Sequence, residues 1–304
     1  LHIRPYEKHE AREVPLNKPA KEALKRYLDM RPAVSETRVF ITKAGLPTYE
    51  TKEIGLMEEK MRTVPNIDLS LVITANEQLQ YMKVVSRAIS LIYTDLRVHM
   101  RHIVHGMMRF AEGKMSSRLG NIITGESLIT DTIDRIADKL EDKDFNPEEK
   151  AKLTRAIGVA AIKYSILRSK TGSDIIFDAE HSISTEGDSG PYLQYAHARA
   201  RTIIQKALGS ISNTITPTET VNDVEKILYR FPEIVSRAAQ ELEPHYITTY
   251  LTELAQAFNS FYGNTTILDE EDPTSGYKVL ITKAFANTIK TGLHLLGVEA
   301  PEKM

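Results

Sequence analysis

The apolar positions of this chain follow two different rhythms. Between residues 38 and 108 they come in short runs: RVFIT (38–42), LSLVIT (69–74) and HIVHGMM (102–108). Runs of this length, rich in β-branched residues, predict buried strands. Between the second and third lies NEQLQYMKVVSRAISLI (76–92), where Leu79, Met82, Val85 and Ile89 recur at helical spacing and Asn76 stands as a cap. Strands alternating with a helix predict a parallel α/β sheet. Three strands make a thin sheet, and one edge is expected to need a partner.

From residue 125 the rhythm becomes helical. Helices are expected over 125–140, 146–170 and 189–208, and roughly over 220–242, 244–262 and 274–296. Asn146 caps the second of these, with Pro147 in its first turn and two glutamates near the positive end of its dipole. SDIIFD (173–178) reads as a strand or an extended linker, and GSISNTITPTET (209–220) as a loop. The C-terminal half is therefore expected to be an all-α bundle. On the wheel for 191–207, Leu193, Ala196, His197, Ala200, Ile204 and Ala207 form one stripe, with Tyr195, Arg199 and Thr202 on the opposite side. An exposed tyrosine with an arginine one turn on suits an unstacked RNA base. On 244–262, Ile247, Leu251, Leu254, Phe258, Phe261 and Tyr262 share a face and are expected in the core. Residues 1–34 are polar, with four prolines; PAKEALKRYLDM (19–30) suggests a peripheral helix.

Composition narrows the classes. The chain has 304 residues, 41% hydrophobic and 26% charged, enough for one large domain or two ordinary ones. It contains no cysteine, which excludes disulfides and thiolate zinc sites. No apolar run approaches the ~18 residues of a membrane span, and no signal peptide is visible. The first residue is Leu1, so the chain is expected to be processed, cropped or lacking its first residues. A net charge of −2 hides an uneven spread. Residues 81–120 carry +5, whereas residues 240–304 carry −5. A polyanion would prefer the first region, unless both are simply solvated faces.

The most unusual stretch is GKMSSRLGN (113–121). Gly113 and Gly120 let the backbone approach a ligand. Ser116 and Ser117 are donors, and Lys114 and Arg118 can neutralise charge on a leaving pyrophosphate. Composition alone leaves a basic surface loop as the alternative.

Order of residues goes further. KMSS resembles the signature loop of class I aminoacyl-tRNA synthetases. The longer stretches HIVHGMMRFAEGKMSSRLGNIITGESLI (102–129), GLPTYETKEIGL (45–56), SGPYLQYAHARAR (189–201) and LLGVEAPEKM (295–304) resemble arginyl-tRNA synthetases, in the family's order. The resemblance implies an α/β plus all-α chain: an incomplete Rossmann-like class I catalytic domain with the KMSS loop and connecting helices over 1–176, then a helical-bundle anticodon-binding domain over 177–304. It implies arginine–tRNA ligase activity with ATP as a substrate, Mg2+ arriving with the ATP, no tightly bound cofactor and no metal site. Partners would be tRNA(Arg), L-arginine and ATP, with a monomeric, cytoplasmic protein and no membrane. Carried over residue by residue, Lys114, Ser116 and Ser117 serve catalysis, and His105, Gly106, Met107 and Lys114 bind ATP. Tyr49, Glu53 and Gln78 surround arginine, with Glu53 standing where many members have Asp. Tyr195, Arg199 and Met304 face the tRNA.

One family motif is missing: the sequence contains no H-x-G-H. HIVHG (102–106) lacks the glycine between its histidines. The chain therefore resembles the C-terminal portion of the family, expected to be inactive alone. The alternative is a free-standing tRNA-binding paralogue without catalysis; an unrelated nucleotide-binding protein would explain the loop but not the other stretches.

Overall fold

A computed structural model describes residues 2–3, 12–13, 22, 25–26, 29, 48–64, 66–93, 99–111, 124–140, 145–209 and 215–304. The RVFIT run and the GKMSSRLGN loop lie outside the described residues. The chain divides into two compact units, Leu1–His105 and Gly106–Met304.

In the first unit, β1 (His2–Ile3) pairs antiparallel with β2 (Arg12–Glu13). The helix α1 (Tyr49–Thr63) precedes β3 (Leu69–Ala75), a 3-10 turn at Asn76–Gln78, the helix α2 (Leu79–Ile92) and β4 (His99–His105). β3 and β4 run parallel in register from Leu69 opposite His99 to Ala75 opposite His105. Met82, Val85 and Ile89, three of the four positions in the helical pattern, bury with Met57 of α1 against Val72 and Met100 of the sheet. The opposite strand residues Leu69, Leu71 and Ile73 are exposed, Ile73 at 65%. Parallel sheets are ordinarily covered on both faces, so this one is half-clothed among the described residues. Asn76 is not the cap of α2: it lies within the 3-10 turn, and Gln78 holds the N-cap position.

The second unit opens with β5 (Met108–Phe110), followed by α3 (Gly125–Lys139), α4 (Pro147–Leu167), β6 (Ile175–Phe177) and α5 (Ala179–Ser182). Then come α6 (Gly190–Ala207), α7 (Asp223–Tyr229), α8 (Phe231–Glu241), α9 (His245–Asn264) and α10 (Ser275–Leu295). Helix starts follow their capping chemistry. Asn146 Oδ1 accepts from the Glu149 amide at 2.9 Å, Ser189 Oγ from the Tyr192 amide at 3.0 Å, and Thr124 and Ser127 form a reciprocal box. The main core joins α4, α6, α7, α8, α9 and α10, with the Phe258 and Phe285 rings stacked at 3.8 Å. Gly190 lets α6 meet α4: a Cβ there would sit 2.4 Å from the Ala160 carbonyl oxygen.

Three expectations need correction. HIVHGMM is not one strand; it breaks at Gly106 and Met107 into the ends of two, and β5 pairs parallel with β6 in a separate sheet. SDIIFD is thus a strand, and the C-terminal half is not purely helical. The 220–242 helix is two helices, because Pro232 has no N–H to continue the ladder and sits in the first turn of α8.

Candidate functional site

In the first unit, Tyr49 opens α1 and Glu53 follows one turn later, as the spacing predicted. The Tyr49 ring is 75% exposed, and Lys52 Nζ lies 5.3 Å from its centroid, so the face already accepts a cation. Sequence reasoning missed Tyr81 of α2. Its hydroxyl is buried without a hydrogen-bond partner among the described residues. Burial, with the negative charges of Glu50 and Glu53, pushes this phenol up to about 12. A buried neutral phenol in that setting can donate its O–H or accept a donor at its oxygen. Gln78 is exposed at the start of α2.

His105, at the end of β4, is exposed; the half-buried histidine is His102, whose Nε2 meets Thr74 Oγ1 at 2.8 Å. Burial lowers the His102 pKa and keeps it neutral.

The second unit begins at Gly106, which is buried against the 173–174 backbone. A Cβ on it would come 2.1 Å from the Ser173 carbonyl oxygen. Both backbone polar groups of Met107 are engaged: its amide donates to Asp174 Oδ1 at 3.0 Å, and its carbonyl accepts from the Ile175 amide at 2.9 Å. Met107 therefore offers a ligand its side chain, half of whose surface is exposed. The expected catalytic residues Lys114, Ser116 and Ser117 follow in the loop outside the described residues. Among the described residues no cluster of His, Asp and Glu is arranged to hold a metal ion.

On α6 the predicted stripe is buried, His197 completely, and Tyr195 and Thr202 are exposed. His197 Nδ1 donates to the Pro301 carbonyl at 2.9 Å, and burial lowers its pKa. Tyr195 and Arg199 do come together: the guanidinium carbon lies 4.7 Å from the tyrosine ring centroid. It also lies 5.2 Å from the ring of Tyr262, and Arg199 donates to Asn259 Oδ1 at 2.8 Å. Asn259 is oriented in turn by donating to the Tyr192 hydroxyl at 2.8 Å. Tyr262 is thus not core; it is 45% exposed. The wheel puts it within about 40° of Phe258, but periodicity does not say how far along its axis a helix stays covered. At the last turn of α9 the cover is the Arg199 guanidinium. The result is an exposed Tyr–Arg–Tyr ladder across two helices, fixed by an internal amide. Met304 lies elsewhere, half-buried with Phe145 against Ile136, Leu140, Leu153, Ile157, Ala161 and Ile183.

Comparison with known families assigns both parts. Residues 24–179 match the catalytic domain of class I tRNA synthetases (R), and residues 193–304 match the DALR anticodon binding domain. The chain belongs to the arginine–tRNA ligase family of class I synthetases. The Streptococcus agalactiae arginine–tRNA ligase is 35% identical over 265 residues, 86% of this chain and 46% of the relative. The Clostridium perfringens enzyme is 30% identical over 88% of this chain and 48% of its own. The chain thus spans about half the length of the curated relatives it matches. In fold it resembles Thermus thermophilus arginyl-tRNA synthetase, with a TM-score of 0.68 and 22% identity over 91% of this chain and 53% of that one. The Plasmodium falciparum synthetase gives 0.68 at 18% identity, over 94% and 52%. The family's catalytic span holds Tyr49, Glu53, Gln78 and Met107; its anticodon-binding span holds Tyr195, Arg199, Tyr262 and Met304. No helix among the described residues is long and apolar enough to cross a membrane.

Proposed function

We propose that this chain works in the ATP-dependent attachment of arginine to tRNA(Arg). The observation that carries the reading is the catalytic-domain match over residues 24–179, because it spans every candidate arginine- and adenine-contacting side chain. Arginine presents five donors and a fixed charge, so its pocket needs a carboxylate and neutral acceptors. Glu53 is the carboxylate; the Gln78 amide and the Tyr81 phenol are the acceptors; Tyr49 supplies a π face. His105, Gly106 and Met107 meet the adenosine part of ATP. An arginine carboxylate oxygen attacks the α-phosphorus, and the bond to pyrophosphate breaks with its electron pair leaving on pyrophosphate. Lys114, with Ser116 and Ser117, stabilises that developing charge, and Mg2+ arrives with the ATP phosphates. A tRNA ribose hydroxyl then displaces AMP from the arginyl carbonyl.

On this reading residues 1–176 belong to the catalytic part and 177–304 to the anticodon-binding part. The tRNA is met by Tyr195 and Arg199, by Tyr262 beside them, and by Met304. The work is cytoplasmic, with the protein a monomer. A second reading, a tRNA-binding protein without catalysis, rests on the anticodon-binding match over residues 193–304 taken alone. Calorimetric titration with L-arginine and with citrulline, its uncharged analogue, separates the two. Arginine binding with citrulline at least tenfold weaker supports the first. Equal binding, or none, contradicts it, since a pure RNA binder has no use for a guanidinium pocket.

A further inference from the structure

The loop at 172–174 makes a clamp that the proposed chemistry leaves without a role. Four contacts converge on the segment Gly106–Arg109. Gly106 lies flat on the Ser173 and Asp174 backbone with no room for a Cβ. The Met107 carbonyl takes the Ile175 amide. One oxygen of the Asp174 carboxylate accepts from the Met107 amide at 3.0 Å, and the other pairs with Arg109 at 3.0 Å. Gly172, at φ 85°, turns the chain back so that this loop meets a segment more than sixty residues earlier. We infer that Asp174 is a positioning residue for nucleotide binding: its forked carboxylate fixes the backbone that presents Met107 to the adenine of ATP.

The physical case rests on the division of labour within the carboxylate. Both Asp174 and Arg109 are well exposed, at 46% and 71% of their side chains. An ion pair in water adds little to stability, so this one is not there to hold the fold. The amide bond is different. A charged acceptor on a backbone N–H is a directional contact, and it falls on the residue between Gly106, which has no room for a Cβ, and the start of β5. With amide and carbonyl both committed, the backbone of Met107 is fixed, and with it the direction in which its Cα–Cβ bond leaves the chain. A ligand stacking on that side chain meets a preorganised surface. Losing the fork frees the amide and lets that surface rotate, at a cost to ligand affinity rather than to folding.

The inference rests on the reading of Met107 as an ATP contact, and its test is built to fail separately from that reading. Labelled ATP and labelled arginine are titrated by equilibrium dialysis against the full chain and three variants: Asp174→Ala, Asp174→Asn and Asp174→Glu. Thermal melting serves as the fold control, and hydrogen exchange of the Met107 amide reads the clamp directly. Asp174→Ala is expected to weaken ATP roughly tenfold and to speed Met107 exchange, with arginine affinity and melting unchanged. Asp174→Asn keeps an acceptor for the amide but loses the Arg109 pair, and should recover most of the loss. Equal weakening of both ligands, or of ATP by all three variants alike, would make Asp174 a structural residue and overturn the proposal. Unchanged ATP affinity with faster Met107 exchange overturns it too, while leaving the ATP reading intact. No ATP binding by the unaltered chain overturns both.

Discussion

The two candidate surfaces of this chain are built in opposite ways. Around Tyr49 and Glu53 the groups are loosely linked, Tyr49 exposed and Glu53 half-buried, on a unit whose core among the described residues is four buried apolar side chains beneath the β3–β4 pair. Around Tyr195 the groups interlock: two rings share one guanidinium, an asparagine holds the guanidinium, and a buried tyrosine holds the asparagine. That second surface stands on a bundle with Leu193, Leu251, Leu254, Phe258 and Phe285 fully buried. A site for a small charged substrate can be assembled around the ligand. A platform for stacking an RNA base gains affinity from rigidity before the ligand arrives. The contrast also predicts where each surface is fragile.

The largest difference should appear in stability. Phe258→Ala removes a buried ring stacked on Phe285 and is expected to destabilise the helical unit by about 3–5 kcal/mol. Ile73→Ala, on the sheet face left exposed among the described residues, should stay within about 0.5 kcal/mol. Calorimetric melting of both variants compares them; an Ile73 loss as large as that of Phe258 would mean the sheet face is covered.

Next comes the substrate charge. Glu53→Gln keeps the shape and removes the proposed partner of the guanidinium, a change worth roughly 2–5 kcal/mol when the pair is desolvated. Arginine binding should collapse while ATP binding changes little. An unchanged arginine affinity returns Glu53 to the role of a surface carboxylate.

The platform should respond more mildly. Tyr195→Ala and Tyr262→Ala are each expected to cost roughly 1–3 kcal/mol of tRNA affinity, with circular dichroism unchanged because both rings are solvent-facing. Arg199→Lys conserves charge but not the plane that stacks between the helices. Affinity should fall while the slope of log affinity against log salt stays put. A slope reduced by about one phosphate in Arg199→Ala would instead show that the guanidinium leaves the ladder to meet the backbone.

The smallest effect is in acid. Hydrogen bonds from Lys278 and from Thr274 hold the Asp272 carboxyl down at about 2. A carboxylate with a depressed folded pKa stabilises the fold above its ordinary value, and that contribution is lost as pH falls toward 2. Asp272→Asn should flatten the pH dependence of melting below about pH 4 and leave it unaltered at neutral pH.

What could be read in advance was local. The Asn146 cap and the buried stripe of α6 follow from spacing and side-chain chemistry alone, and both stand as expected. The break at Gly106 could not be read, because its cause is the backbone of Ser173, distant in sequence. Nor could the exposure of Tyr262, which depends on an arginine of another helix. Tyr81 fits the helical pattern of a core residue; only its hydroxyl, without a partner among the described residues and beside two carboxylates, marks it out. The split at Pro232 is legible in the sequence, since a proline near the middle of a 23-residue apolar pattern is itself a boundary signal.

The most direct test of the account is a binding titration of this chain with an arginine-accepting tRNA and, in parallel, with tRNAs accepting other amino acids, each repeated with Tyr195→Ala. The account predicts clear preference for the arginine-accepting tRNA, lost or reduced at least several-fold in the variant while its helical content is retained. Equal affinity for all tRNAs, or a Tyr195→Ala variant that folds and binds with the same preference, would contradict it.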